Sequence, residues 1–399
     1  MRQFIYALSM AILWLPLFSY GQTFVRDTFM YAGLERSYIL YVPANYQPKQ
    51  NWPLVMGLHG GGNGNGETLL TGLPFQDVAD TEDFLVLFPN GYTNQWADGR
   101  GVTGPDTSGV DDVQFLNDLL DSINVNYPFD QNNVFVAGAS NGGMMTQRLA
   151  CESTGTFNAY ATIIASMPDS VNVGCSPSSN AVPMLLMNGT DDALVPYSGG
   201  PLSPLTDGGS VIGTNSTIQF WRNNNGCNFQ KVVYNFPNID LTDGSTVRST
   251  TYYNCTGSSE VVLYRVQGGG HTIPGMPTLV NPRPLAGYVN YDIEAAVEIW
   301  DFFKDHLVTS SPRAQAPITE IDEKIQLVPN PTQGKVFIQG LESVEDLNIQ
   351  VVDMNGRVVL DVDNQPKLDM TRFPSGMYAI KVNVDGKSQV LSLVKDGIN

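Results

Sequence analysis

Ser140 stands between two glycines in Gly138-Ala139-Ser140-Asn141-Gly142, a G-x-S-x-G pattern. Asn133-Val134-Phe135-Val136-Ala137 before it reads as a short apolar strand, and Met144 to Ala150 after it as a helix. Strand, strained turn and helix make a nucleophile elbow, which lifts a serine hydroxyl above a sheet. Small residues two positions either side let strand and helix approach each other. A serine used in this way needs a base for its proton and a carboxylate to orient that base, in the chain order serine, acid, histidine. Of the three histidines, His59 precedes the serine, and His306 ends a helix, where a cation complements the dipole. That leaves His271, reached from a strand ending at Val266 through Gly268-Gly269-Gly270. The acid comes from Asn188-Gly189-Thr190-Asp191-Asp192, directly after the strand Val182 to Met187. Periodicity does not choose between Asp191 and Asp192. The third need is donors for the oxyanion of a tetrahedral intermediate. His59-Gly60-Gly61-Gly62-Asn63-Gly64 offers backbone amides without side chains in the way, and the Gly61 and Asn141 N–H groups are the candidates. A phosphate loop is disfavoured, because no Lys-Ser or Lys-Thr follows the glycines.

These residues need a scaffold. Apolar runs at Leu54 to Leu58, Phe84 to Phe88, Val134 to Val136, Val182 to Met187 and Val261 to Val266 are short, and most do not alternate with polar residues. That suits strands covered on both faces, as in a parallel sheet. Val113, Phe115, Leu116, Leu119, Leu120 and Ile123 recur at helical spacing behind Asp111 and Asp112, whose carboxylates suit a helix N-terminus. A last helix is expected near Ile293 to Leu307, with Ile299, Trp300, Phe302 and Phe303 on its buried side. Strands alternating with helices give an α/β layer fold. Residues 309–324 read as a linker. From 325 to 399, short strands and turn signals such as Asn355-Gly356 and Asp385-Gly386 predict a small all-β sandwich.

The 399 residues are 42% apolar and 15% charged, an ordinary globular balance with room for a sizeable core. Residues 1–21 combine Arg2, an apolar run from Phe4 to Phe18 and a small-residue ending at Ser19-Tyr20-Gly21, which reads as a secretory signal cut before Gln22. No later segment reaches the ~18 apolar residues of a membrane span. Four cysteines in an exported chain predict two structural disulfides, and sequence order suggests Cys151 with Cys175 and Cys227 with Cys255, the other connectivities staying open. Net charge is −18, and residues 22–308 hold 11 Lys and Arg against 27 Asp and Glu. Such a field opposes phosphate backbones and anionic headgroups, which argues against nucleic acid and membrane surfaces as partners and is compatible with neutral polymers and uncharged esters. No cluster has metal-ligand spacing, so neither a metal nor a cofactor is expected; a calcium in an acidic loop stays open.

Together, His59-Gly60-Gly61-Gly62, Asn94-Gln95-Trp96-Ala97-Asp98-Gly99-Arg100, Val110-Asp111-Asp112-Val113, the Ser140 elbow, Gly189-Thr190-Asp191-Asp192-Ala193-Leu194-Val195-Pro196-Tyr197 and Gly269-Gly270-His271-Thr272 resemble the secreted feruloyl esterases and polyhydroxybutyrate depolymerases over roughly residues 24 to 308. The resemblance implies an α/β-hydrolase fold with a mostly parallel sheet. It also implies the disulfide pairing just given, cofactor-free ester hydrolysis, and Asp192 rather than Asp191 as the acid. His59 and Trp96 are the candidate substrate contacts, Trp96 as a stacking surface for a phenolic acid. The chain departs from the family at Ile273, where relatives often carry tryptophan, which puts acyl choice in doubt. Only 52 residues separate Ser140 from Asp192, leaving scant room for a lid. An open site suits esters on a polymer such as feruloylated xylan. The alternatives are an extracellular polyester depolymerase and a non-catalytic polysaccharide-binding protein on a hydrolase scaffold. Val328-Pro329-Asn330-Pro331-Thr332-Gln333-Gly334, Val352 to Arg357 and Ser375 to Val382 resemble the C-terminal sorting domain of type IX secretion. That implies export through the periplasm by that machinery, then release or attachment at the cell surface.

Overall fold

Strand residues with apolar side chains in unbroken runs have to be buried on both faces, and the structure shows how. The computed structural model describes residues 22–48, 51–153, 155–175, 181–276, 286–308, 325–340, 347–353, 358–363, 365–371, 373–384 and 387–396. The expected signal segment and linker lie outside them. The described chain begins with a hairpin, β1 (Thr23–Tyr31) and β2 (Leu34–Val42), followed by β3 (Leu54–Leu58), α1 (Gly66–Gly72), α2 (Phe75–Glu82) and β4 (Leu85–Pro89). Next come α3 (Gly104–Ser108), α4 (Asp112–Asn126), β5 (Val134–Ala139), α5 (Asn141–Glu152), β6 (Ala159–Ile163), α6 (Asp169–Gly174) and β7 (Met184–Gly189). A small hairpin of β8 (Gly199–Pro201) and β9 (Ser210–Ile212) precedes α7 (Thr214–Asn224), β10 (Lys231–Asn235), β11 (Thr246–Tyr252), β12 (Val261–Gln267) and α8 (Ala295–Lys304).

Ten strands form one sheet in the order β1-β2-β4-β3-β5-β6-β7-β12-β11-β10. The six from β4 to β12 run parallel, and the pairs at either edge are antiparallel. Side chains alternate across each strand. In β5, Val134 and Val136 join α4, α5 and α7 on one face, while Phe135, Ala137 and Ala139 join α1, α2 and α8 on the other. Helices on both faces of a mostly parallel sheet, with an elbow after a central strand, make this an α/β-hydrolase fold. No helix among the described residues is long and apolar enough to cross a membrane.

Several elements depart from the sequence reading. The strands β1, β2, β6, β10 and β11 are not among the apolar runs. In β1 most residues face solvent, so its place comes from pairing with β2 rather than from burial. The helix after Asp111 starts as expected, with the Asp111 carboxylate accepting from the Gln114 amide and Asp112 in the first turn. Asp112 is fully buried and accepts from Arg36 Nη2 at 2.7 Å and from the Ala97 amide at 2.8 Å. The last helix is shorter than expected, Ala295–Lys304, and buries Ile299, Trp300, Phe302 and Phe303.

The described residues between 325 and 396 form a second compact unit. Its strands β13 (Gln326–Val328), β14 (Lys335–Gln339) and β17 (Lys367–Asp369) make one antiparallel sheet. A second contains β15 (Leu347–Val352), β16 (Val358–Asp363), β18 (Gly376–Val384) and β19 (Lys387–Lys395). Period-2 burial, as at Val336 and Ile338 or Ile380 and Val382, gives this unit its own core.

Candidate active site

β5 delivers Ser140 to the upper edge of the sheet, and the turn into α5 holds it at φ 55°, ψ −119°. A side chain at φ above zero is costly outside glycine, and such strain persists only where surrounding structure enforces it. Two glycines do the enforcing. A methyl group on Gly138 would sit 2.2 Å from the Gly142 carbonyl oxygen, and one on Gly142 would sit 2.2 Å from that of Leu58. The Ser140 amide donates to the Ile163 carbonyl at the end of β6, which fixes the turn from the other side.

β7 and β12 run side by side, so the loops after them emerge together. Thr190 stitches the two, its amide donating to the Val266 carbonyl and its hydroxyl oxygen accepting from the Gly268 amide. The Asp191 amide donates to the Gly269 carbonyl. These ties set Asp192 opposite His271, with Asp192 Oδ2 2.7 Å from His271 Nδ1. On the far side of the ring, Nε2 lies 2.9 Å from Ser140 Oγ. Asp192 Oδ1 accepts from the Leu194 and Val195 amides, each at 2.8 Å, so the carboxylate cannot rotate away. Its side chain is 3% exposed and that of His271 is 11% exposed. The neighbouring Asp191 instead points to solvent and accepts from the Thr190 hydroxyl. The choice between the adjacent carboxylates is a matter of which faces the imidazole, something spacing along the chain does not encode.

Gly60 and Gly61 lie against the elbow. A methyl on Gly60 would be 3.5 Å from Ser140 Cβ, and one on Gly61 would be 3.3 Å from Asn141 Cβ. Neither the Gly61 nor the Asn141 N–H has a protein partner among the described residues. The Asn141 side chain is held by three bonds, accepting from the Trp96 amide and donating to the Trp96 carbonyl and to Asp98 Oδ2. Asp98 is fully buried and pairs with Arg100 at 2.8 Å; burial, against the pull of Arg100, pushes its carboxyl up to about 6. Asp98 and Arg100 are site-supporting residues that sequence reasoning missed, although both lie in the Trp96-Ala97-Asp98-Gly99-Arg100 motif.

The expected substrate contacts His59 and Trp96 lie inside the protein. Both are fully buried, their rings 5.0 Å apart. Trp96 Nε1 donates to the His59 carbonyl at 2.9 Å, and the His59 ring is taken up by the Gly91 amide and the Gly60 carbonyl. A tryptophan whose apolar body and N–H are both satisfied inside the protein has no face left for a ligand. The four cysteines form Cys151–Cys175 and Cys227–Cys255.

Chemically, a hydroxyl, an imidazole and a carboxylate in hydrogen-bonded series, beside two unpartnered amides, can activate an oxygen nucleophile and hold a developing oxyanion. Residues 326–396 match the family model described as a secretion system C-terminal sorting domain. A probable feruloyl esterase C of Aspergillus terreus is 27% identical over 256 residues, which are 63% of this chain and 80% of that protein. A bifunctional acetylxylan esterase/xylanase of Neocallimastix patriciarum is 28% identical over 165 residues, 41% of this chain and 22% of that much longer protein. Among solved structures, the acetyl xylan esterase from Aspergillus awamori aligns with a TM-score of 0.42 at 17% identity, covering 60% of this chain and 89% of that one.

Proposed function

We propose that the chain is a secreted carboxylic ester hydrolase acting on xylan-like polysaccharides, with feruloyl esters as its substrate and Ser140, His271 and Asp192 as its catalytic triad. The observation that carries this reading is the His271 ring bridging Ser140 Oγ and Asp192 Oδ2 at 2.9 and 2.7 Å. Asp192 holds the proton of His271 on Nδ1, so Nε2 is free to accept the Ser140 proton as Oγ attacks the ester carbonyl. The negative charge that forms on the carbonyl oxygen is met by the Gly61 and Asn141 amides. His271 then returns the proton to the departing alcohol, and water, activated by the same ring, releases the acid. The sorting tail supports export to the cell surface or medium, and an ester on an extracellular polymer suits that location. The similarity to feruloyl and acetylxylan esterases supports the substrate class.

The test is turnover of methyl ferulate, acetylated xylan and a polyester emulsion by purified protein, alongside Ser140→Ala. Release of ferulate, with at least a ~10³-fold loss in the alanine variant, is expected. Full turnover by Ser140→Ala would sink the mechanism, and activity on the polyester alone would replace the substrate.

A further inference from the structure

His59 is bracketed by two backbone groups of fixed polarity. Its Nε2 lies 2.9 Å from the Gly91 nitrogen and its Nδ1 lies 2.7 Å from the Gly60 carbonyl oxygen. An amide nitrogen can only donate, so Nε2 carries no hydrogen. A carbonyl oxygen can only accept, so Nδ1 carries the one hydrogen of a neutral ring. Burial keeps the ring neutral, pushing its pKa down to about 4 despite the favourable Gly60 carbonyl.

The consequence falls on the next peptide. In a trans peptide the C=O and N–H point in opposite directions. The Gly60 carbonyl is turned toward His59 and toward Gly64, where a methyl group would meet its oxygen at 2.0 Å. The N–H at the other end of that peptide belongs to Gly61 and so is turned away from the histidine, in a loop packed closely enough on the elbow that a methyl on Gly60 would lie 3.5 Å from Ser140 Cβ and one on Gly61 3.3 Å from Asn141 Cβ. We propose that His59 is a positioning residue for ester hydrolysis. As the Nδ1–H tautomer it holds the Gly60–Gly61 peptide in the orientation that aims the Gly61 N–H at the oxyanion. Gly60 and Gly61 are both glycine, so little else resists a flip of that peptide, which would present a carbonyl oxygen where the donor should be. The second donor hangs on the same set of bonds: the Trp96 indole holds the His59 carbonyl, and the Trp96 amide holds the Asn141 side chain. The assignment rests on the esterase reading above.

Its test is a series of variants assayed on p-nitrophenyl acetate with kcat and KM measured separately and folding checked by near-ultraviolet circular dichroism. His59→Ala lowers kcat about 10²-fold, the scale of one lost oxyanion donor, with KM within about threefold. In His59→Asn the side-chain nitrogen takes the place of Nδ1 and still donates to Gly60, bringing kcat to within about tenfold of wild type. His59→Gln reaches only the Gly91 side and stays with alanine. Equal kcat in the Asn and Gln variants, or wild-type kcat in the Ala variant, overturns the proposal. Ring-labelled ¹⁵N NMR of the unmodified protein gives a check that needs no variant: the proton of His59 is expected on Nδ1 at pH 7, and finding it on Nε2 overturns the assignment. Ser140→Ala separates the two levels. If it abolishes turnover while the His59 series is flat, only the positioning role fails; if it does not, the esterase reading itself fails.

Discussion

Asp192→Asn removes a charge while keeping nearly every atom, and the structure dictates how the new amide must sit. In the wild type Oδ1 accepts from the Leu194 and Val195 amides while Oδ2 faces His271 Nδ1. Asparagine has one acceptor oxygen, and those two backbone amides claim it. Turning the amide over would set its NH₂ against two N–H donors and strand both, at about 1–3 kcal/mol each. The NH₂ therefore faces Nδ1, which must accept from it, and the hydrogen of the ring moves to Nε2. Nε2 then meets Ser140 Oγ as a donor and cannot take its proton. The expected loss in kcat is ~10⁴, or about 5.5 kcal/mol of barrier, with KM little changed. Pre-steady-state release of p-nitrophenol measures the acylation step directly, and a thermal melt confirms the fold. A variant that melts with the wild type yet loses less than about tenfold in acylation would refute the tautomer argument.

Two further outcomes concern stability. Arg36 and Asp112 form an ion pair whose side chains are 2% and 0% exposed, with the guanidinium also 3.9 Å from the Phe115 ring centroid. Arg36→Ala leaves a buried carboxylate uncompensated and should cost about 3–5 kcal/mol in urea unfolding; a cost below about 1 kcal/mol would show that the pair is solvated in practice. The acid dependence of His59 has a definite sign. Its folded pKa is about 4 against 6.5 for the free side chain, so between those values the unfolded chain binds a proton that the fold does not. Stability relative to His59→Gln therefore falls as pH drops from about 6.5 to about 4, by about 3 kcal/mol in all. Asp98, raised to about 6, acts with the opposite sign over much of the same interval, so the variant difference and not the wild-type curve isolates the histidine. A pH-independent difference would mean that the ring takes up a proton as readily in the fold as in the unfolded chain.

Much of this was legible in the chain itself because it is local. Small residues at 138 and 142 around a serine announce a strained turn, since backbone groups approach too closely there for any side chain. Doubly covered strands such as β5 and β7 announce themselves as unbroken apolar runs, and the second unit as period-2 strands between turns. The edge strands were not legible, because an edge is held by its partner's hydrogen bonds and β1 carries little burial signal of its own.

The order of residues along the chain determined which groups could carry acyl-transfer chemistry and which turns would present them. Only the tertiary structure decided that Asp192 rather than Asp191 meets His271, that His59 and Trp96 lie inside the protein, and that Asp98 and Arg100 brace Asn141. The physical reason is that a side chain's role depends on direction and desolvation. Both are set where loops from distant strands converge, and neither is written in the spacing of residues.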